Sequence, residues 1–231
     1  MLMKKLISTF ALAVGCALLA NAAPPEAAPS SREYIEWCDI WISHANETNL
    51  PRVLLIGDSI TRDYYPEVEK HLAGKAYVAR LCTSRFLTDP VLAKEIVLVL
   101  EGTKFDIIHF NNGMHGWQHS EQEYRKAFPK FLATIRKYAP DAKLVCATTT
   151  PLKESKTLPP GNQTESSDER IAARNAIALE AIEGKGIAVD DLNALVCGHP
   201  EYHSDNVHFN GDGVKVQAAQ VAQQVEKLLK P

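Results

Sequence analysis

Five times along this chain a short apolar run gives way to a stretch with helical spacing. The runs are VLLI at 53–56, then "AYVARLC", "FDIIHF", "KLVCATTT" and "GIAVDDL". Unbroken apolar runs, rather than alternating ones, suit strands buried on both faces. The intervening helical stretches fall at 60–73, 89–101, 120–138 and 168–183, with a last one from Gly213 to the end. Pro90 stands at an allowed early helix position, whereas Pro129 is expected to kink or divide its helix. Strand and helix in alternation specify an α/β fold, a parallel sheet with helices on both faces. In such sheets ligands bind beyond the carboxyl ends of the strands. Polar residues just after a strand are therefore the first candidates for chemistry.

Two segments fall outside the alternation. "REYIEWCDIWISHA" carries apolar residues at 35, 38, 41 and 42, a spacing that predicts a short amphipathic helix. Residues 151–167, "PLKESKTLPPGNQTESS", form a long polar loop of the kind often tied to function.

The N-terminus reads as a targeting segment. Lys4 and Lys5 precede an apolar region over 6–20, and Ala20-Asn21-Ala22 fits the small-x-small cleavage rule. The apolar run is shorter than the roughly 20 residues of a membrane span. Residues 1–22 are thus expected to be a cleaved signal peptide. Gly15-Cys16 offers a lipoprotein site as a second reading. Residues 23–50 follow as a Pro/Ala/Ser linker and the short helix, and 51–231 form one domain. Export implies a periplasmic or extracellular protein. Stable membrane association is not expected, and the net charge of −3 argues against a nucleic-acid partner. Four cysteines remain beyond the leader: Cys38, Cys82, Cys146 and Cys197. In an oxidising compartment these can pair, in an order the sequence does not give. Cys146, inside an apolar run, can equally pack as a small hydrophobe.

Ser59 follows the first strand directly, in "RVLLIGDSITRDYY". Ser and Asp are favoured helix caps, so a cap is the plain reading. A nucleophilic serine needs a base within reach, and the base an orienting group. "HSDNVHFNGDG" places Asp205 three residues before His208, close enough in one turn for carboxylate and imidazole to meet. Acyl transfer also needs donors aimed at a developing oxyanion. Asn111 is the first polar residue after the third strand, with Asn112 in a following Asn-Gly turn. Each motif is weak alone, but all fall at one edge of the sheet.

Over residues 51–230 the chain resembles the SGNH hydrolases, or GDSL-type esterases, and their carbohydrate-esterase-like members in particular. "IGDSIT" is similar to the family's first block and "DNVHF" to its last. The resemblance implies a flavodoxin-like three-layer α/β/α sandwich with a central parallel five-stranded sheet. It also implies Ser59 as nucleophile, His208 as base and Asp205 as its partner. The oxyanion donors it implies are the Ser59 N–H and the Asn111 side chain. "FNNGMHGW" departs from the family's usual GxND form, and Asn112 is the alternative to Asn111. "RLCTSRFLTDP" departs further, because the glycine expected after the second strand is absent. A backbone N–H of Ser84 or Arg85 would have to replace it.

Arg62, Arg85, Asn112 and Trp117 are candidates to line the substrate site, and Tyr64 is a further one. Trp117 reads either as a sugar-stacking platform or as a ring packed under its loop. His199, His203, Asp205 and His208, with His115 and His119 at i, i+4, offer metal-ligand types, but the triad explains Asp205 and His208 better. No metal and no cofactor are expected. The implied activity is a secreted serine esterase acting on O-acyl, chiefly O-acetyl, groups of a small ester or an acetylated carbohydrate. A lipid esterase of the same fold and a non-catalytic carbohydrate-binding relative are the alternatives.

Overall fold

The computed structural model describes residues 32–156 and 165–229. The expected signal peptide, the linker over 23–31 and the middle of the polar loop lie outside the described residues. Within them, six strands and six α-helices alternate: β1 (Cys38–Ile42), β2 (Arg52–Gly57), α1 (Ser59–His71), β3 (Tyr77–Thr83), α2 (Pro90–Gly102), β4 (Ile107–Phe110), α3 (Glu121–Tyr138), β5 (Lys143–Ala147), α4 (Asp168–Ile182), β6 (Ala188–Asp190), α5 (Leu192–Val196) and α6 (Gly211–Leu229). They form one sheet in the order β1-β3-β2-β4-β5-β6. Five strands are parallel, and β1 joins β3 antiparallel.

The sheet therefore has one strand more than the five expected. The segment read as a short helix is β1. Its helical spacing was real, but β3 has an open edge once β2 occupies the other. An unpaired row of backbone groups there is satisfied by pairing Cys38–Ile42 with it. Pro129 does not divide α3, which runs unbroken through it. The proline is exposed, so the carbonyl it leaves without a donor can be met by water.

Each central strand faces two cores, which is why its apolar run is continuous. Leu54 and Ile56 of β2 point into a layer shared with α2, α3 and α4. Val53 and Leu55 point the other way, into a layer shared with α1, α5 and α6. All six residues of β2 are buried. Helix ends are fixed by side-chain caps: Asp89 starts α2, Ser120 and Glu123 close a reciprocal capping box on α3, and Ser167 starts α4. Strand order reverses around β2, with β3 and β1 to one side and β4, β5 and β6 to the other. That reversal opens a crevice beyond the carboxyl ends of β2 and β4.

Candidate active site

The β2–α1 connection allows almost no room. A Cβ on Gly57 would lie 2.0 Å from Thr61 Oγ1, so the chain can fold back this tightly only with glycine there. Asp58, not Ser59, is the helix cap: its Oδ1 accepts the Ile60 N–H at 2.9 Å. Ser59 is left as the first helical residue, with its hydroxyl not needed for capping. Its backbone N–H belongs to the first turn, where donors have no intrahelical acceptor.

The Ser59 hydroxyl meets His208 Nε2 at 2.9 Å, across 149 residues of sequence. His208 Nδ1 lies 2.8 Å from Asp205 Oδ2. Asp205 Oδ1 accepts the N–H groups of Val207 and His208, both at 2.7 Å. These backbone donors, His208's first, hold the Asp205 carboxyl down to about 2. The carboxylate is thus ionised and can only accept, which puts the Nδ1 proton on the imidazole and leaves Nε2 to accept from Ser59. Ser59 is only 9% exposed, while His208 and Asp205 are open to solvent on one side. An antiparallel bridge between His203 and Phe209 closes the turn that carries the pair.

Asn111 follows β4 and donates through Nδ2 to Ala147 O at 2.8 Å and to Thr149 Oγ1 at 3.1 Å. It shares a small cavity with Asp58 and Thr61. Asn112 lies apart, donating to Arg85 O at 2.8 Å. Thr148, Thr149 and Thr150, just after β5, are buried. Thr149 is clasped by Asn175 and Asn193.

The two backbone donors expected to replace the missing glycine already have acceptors in this structure. Ser84 N–H is given to Trp37 O at 3.2 Å, and its hydroxyl donates to Glu36 Oε2 at 2.6 Å. Arg85 N–H goes to Thr83 Oγ1 at 3.2 Å. The Ser84 donor is taken by the N-terminal segment and the Arg85 donor by Thr83 at the end of β3. Arg85 itself faces Asp89 at 2.9 Å, Glu95 at 3.5 Å and Glu36 at 3.6 Å, an ion-pair cluster rather than a substrate contact. Tyr64 is also withdrawn, buried with its hydroxyl on Thr61. Arg62 is exposed, with its guanidinium 4.8 Å above the Trp37 ring.

Two residues that sequence reasoning passed over organise the loop after β4. Arg174 is fully buried and donates to the carbonyls of Gly113, His115 and Gly116 at 2.7–3.0 Å. Arg170, one turn earlier, donates to Trp117 O and His119 O. Their guanidinium groups lie 4.2 and 5.2 Å from the Trp117 ring, so Trp117 is packed into this loop rather than presented as a platform. Gly116, at φ +70°, makes the loop's turn with Phe86 against it. The signal in the sequence was two arginines at i, i+4 on the same helix as Ile171, Ile177 and Ala178.

Of the remaining histidines, His199 faces Glu201 at 2.8 Å and His203 packs on Phe209. His115 bonds to Glu33 at 3.0 Å, and His119 stacks on Phe86. Among the described residues no three His, Cys, Asp or Glu side chains are arranged to hold a metal ion.

The sequence matches no family model and no curated protein. Solved structures do match. A carbohydrate esterase family 3 protein from Talaromyces cellulolyticus superposes with TM-score 0.62 at 17% identity, covering 78% of this chain and 99% of its own. Est24, a carbohydrate acetylesterase from Sinorhizobium meliloti, gives 0.62 at 12% identity, over 77% and 99%. A GDSL-like lipase from Bacteroides thetaiotaomicron gives 0.57 at 16%, over 76% and 88%. With a parallel sheet reversing at β2, Ser59 at the crevice and esterase structures superposing over three quarters of its length, the chain has the fold of the SGNH hydrolases.

Proposed function

We propose that this protein is an exported serine esterase that removes O-acyl groups, chiefly O-acetyl, from carbohydrate. The observation that carries the reading is the continuous hydrogen-bonded chain Ser59–His208–Asp205 at the fold's binding crevice. His208 Nε2 takes the Ser59 proton as Oγ attacks the ester carbonyl. Asp205 keeps the imidazole in the tautomer that can do so and balances the imidazolium that forms. The oxyanion is received by the Ser59 N–H and by the Asn111 amide, one of whose N–H groups exchanges Thr149 Oγ1 for it. His208 then protonates the departing alcohol, and water cleaves the acyl-enzyme by the same route in reverse. No metal or cofactor enters these steps.

The acetyl-carbohydrate preference draws on the named activities of two structural neighbours, a carbohydrate esterase and a carbohydrate acetylesterase. It is a separate inference from the reaction class, because a fold and a triad do not set specificity. Export draws on the basic, apolar and small-residue pattern of residues 1–22. No helix among the described residues is long and apolar enough to cross a membrane.

The test is acetate release from a panel of acetylated polysaccharides, with p-nitrophenyl acetate and a long-chain p-nitrophenyl ester alongside. The acetyl ester and at least one polysaccharide should be cleaved, and Ser59→Ala should lose at least about 10³-fold in kcat. Faster cleavage of the long-chain ester would move the substrate to lipids. Hydrolysis surviving Ser59→Ala would remove the nucleophile.

A further inference from the structure

Two tryptophans outside the triad line one face of the sheet's edge. Across the β1–β3 ladder Asp39 pairs with Cys82 and Trp41 with Arg80, in step with Val78 of the α1/α6 core. Residues 37, 39 and 41 therefore share the face of β1 that looks toward α1. Helix α1 meets that face twice, at i and i+3. Arg62 lies over Trp37, and Tyr65 stacks with Arg80 at 4.6 Å. Arg80 also approaches the Trp41 ring at 5.8 Å and is held by Asp39 through Nε at 3.1 Å and Nη2 at 3.2 Å. Trp41 is 55% exposed despite its size. The strip begins at Arg62, one helical turn from Ser59, and runs from Trp37 to Trp41, about 14 Å at strand rise.

We propose that this face of β1 binds the carbohydrate chain bearing the ester, with a sugar ring on the exposed Trp41 and the Arg62–Trp37 pair between it and the acylated sugar at Ser59. The proposal rests on the esterase reading and adds to it that the substrate is a polymer rather than a small ester. A sugar ring needs a flat apolar surface for its C–H face and charged or polar groups for its hydroxyls. The strip supplies both: the exposed Trp41 indole, then the Asp39–Arg80 pair, then Arg62 over Trp37 at the end nearest the triad. A protein docking on an apolar face would have to cover that ion pair without replacing its solvation, at a desolvation cost. A hydroxylated chain replaces water with hydrogen bonds of the same kind. The near end of the strip, Arg62, stands on α1 three residues from Ser59, so a chain at the site has a surface to follow.

The experiment uses the full chain and Trp41→Ala, an exposed edge position whose loss leaves both cores intact. Ser59→Ala and the double variant Ser59→Ala/Trp41→Ala are run in affinity gels containing O-acetylated xylan, glucomannan or pectin. At least one polymer should retard Ser59→Ala, and the added Trp41→Ala should weaken that binding about tenfold. In the active protein, Trp41→Ala should raise KM for the same polymer about tenfold and leave kcat/KM for p-nitrophenyl acetate within twofold. Retardation unchanged by Trp41→Ala, or absent for every polymer, overturns the proposal. So does a dimer in size-exclusion chromatography that Trp41→Ala converts to monomer, which would make this face an interface between copies. If p-nitrophenyl acetate is not hydrolysed but retardation depends on Trp41, the esterase reading falls and the glycan strip stands.

Discussion

Three adjacent residues, Gly57, Asp58 and Ser59, divide three tasks among themselves. Glycine permits the reversal, aspartate caps the helix, and the serine hydroxyl is left facing His208. Ser59 does not cap the helix, because its neighbour takes the cap, and its hydroxyl is left free for the proposed attack. Asp205 is as locally determined, since its own turn supplies the backbone N–H groups that hold it ionised. Asp205→Asn should fold but present an amide N–H to His208 Nδ1, favouring the wrong tautomer. Its kcat should fall by roughly 10³–10⁴-fold, measured on p-nitrophenyl acetate. A carboxyl held down to about 2 stabilises the fold above its unfolded pKa near 3.9, and that contribution disappears as pH falls toward 2. In acid titrations followed by fluorescence, the wild type's advantage over Asp205→Asn should be full at pH 5, be mostly lost at pH 2 and vanish below it. These residues were legible in the sequence because each motif closes within four positions. Ser84 was not, because its N–H is claimed by Trp37, 47 residues earlier, in a segment whose spacing read as helical.

Among elements, α4 has the least expected part. Arg174 brings a charge into the interior to satisfy carbonyls that the loop after β4 cannot satisfy itself. Burial lowers its guanidinium to about 10, the direction desolvation dictates. Arg174→Met fills similar volume but orphans the carbonyls of Gly113, His115 and Gly116. It should cost about 3–5 kcal/mol by the measure of buried pairs broken on one side. Arg125→Ala, which removes only an exposed ion pair to Glu180, should cost no more than about 1 kcal/mol. Urea denaturation of the two variants separates these outcomes, and equal effects would contradict the role given to Arg174. Five of the six α-helices were legible to within a few residues because caps and apolar stripes mark them; the five-residue α5 was not, being too short to show a helical period. β1 was not, since a five-residue edge strand with mixed exposure has no clean two-residue period and is decided by the open edge of β3.

At the scale of the whole molecule, the alternation of apolar runs and helical stretches was enough to give the α/β class, because every central strand is covered on both faces. The edge strand and the buried arginines are tertiary decisions that no local pattern carries. Cys38, Cys82, Cys146 and Cys197 are all free thiols, two of them buried in the cores. Burial raises the Cys146 thiol to about 12 and Cys38 to about 11, so neither is poised to react. A reducing agent should therefore leave Tm unchanged within a degree by scanning calorimetry, and a fall of several degrees would reveal a crosslink. The joining of Ser59, at one end of the domain's sequence, to Asp205 and His208, at the other, is what the whole fold accomplishes. Covalent labelling with an alkyl fluorophosphonate, read by intact mass and peptide mapping, tests that joining without knowledge of the substrate. One adduct on Ser59, lost in His208→Ala, is expected; an unmodified Ser59, or labelling that persists without His208, would contradict it.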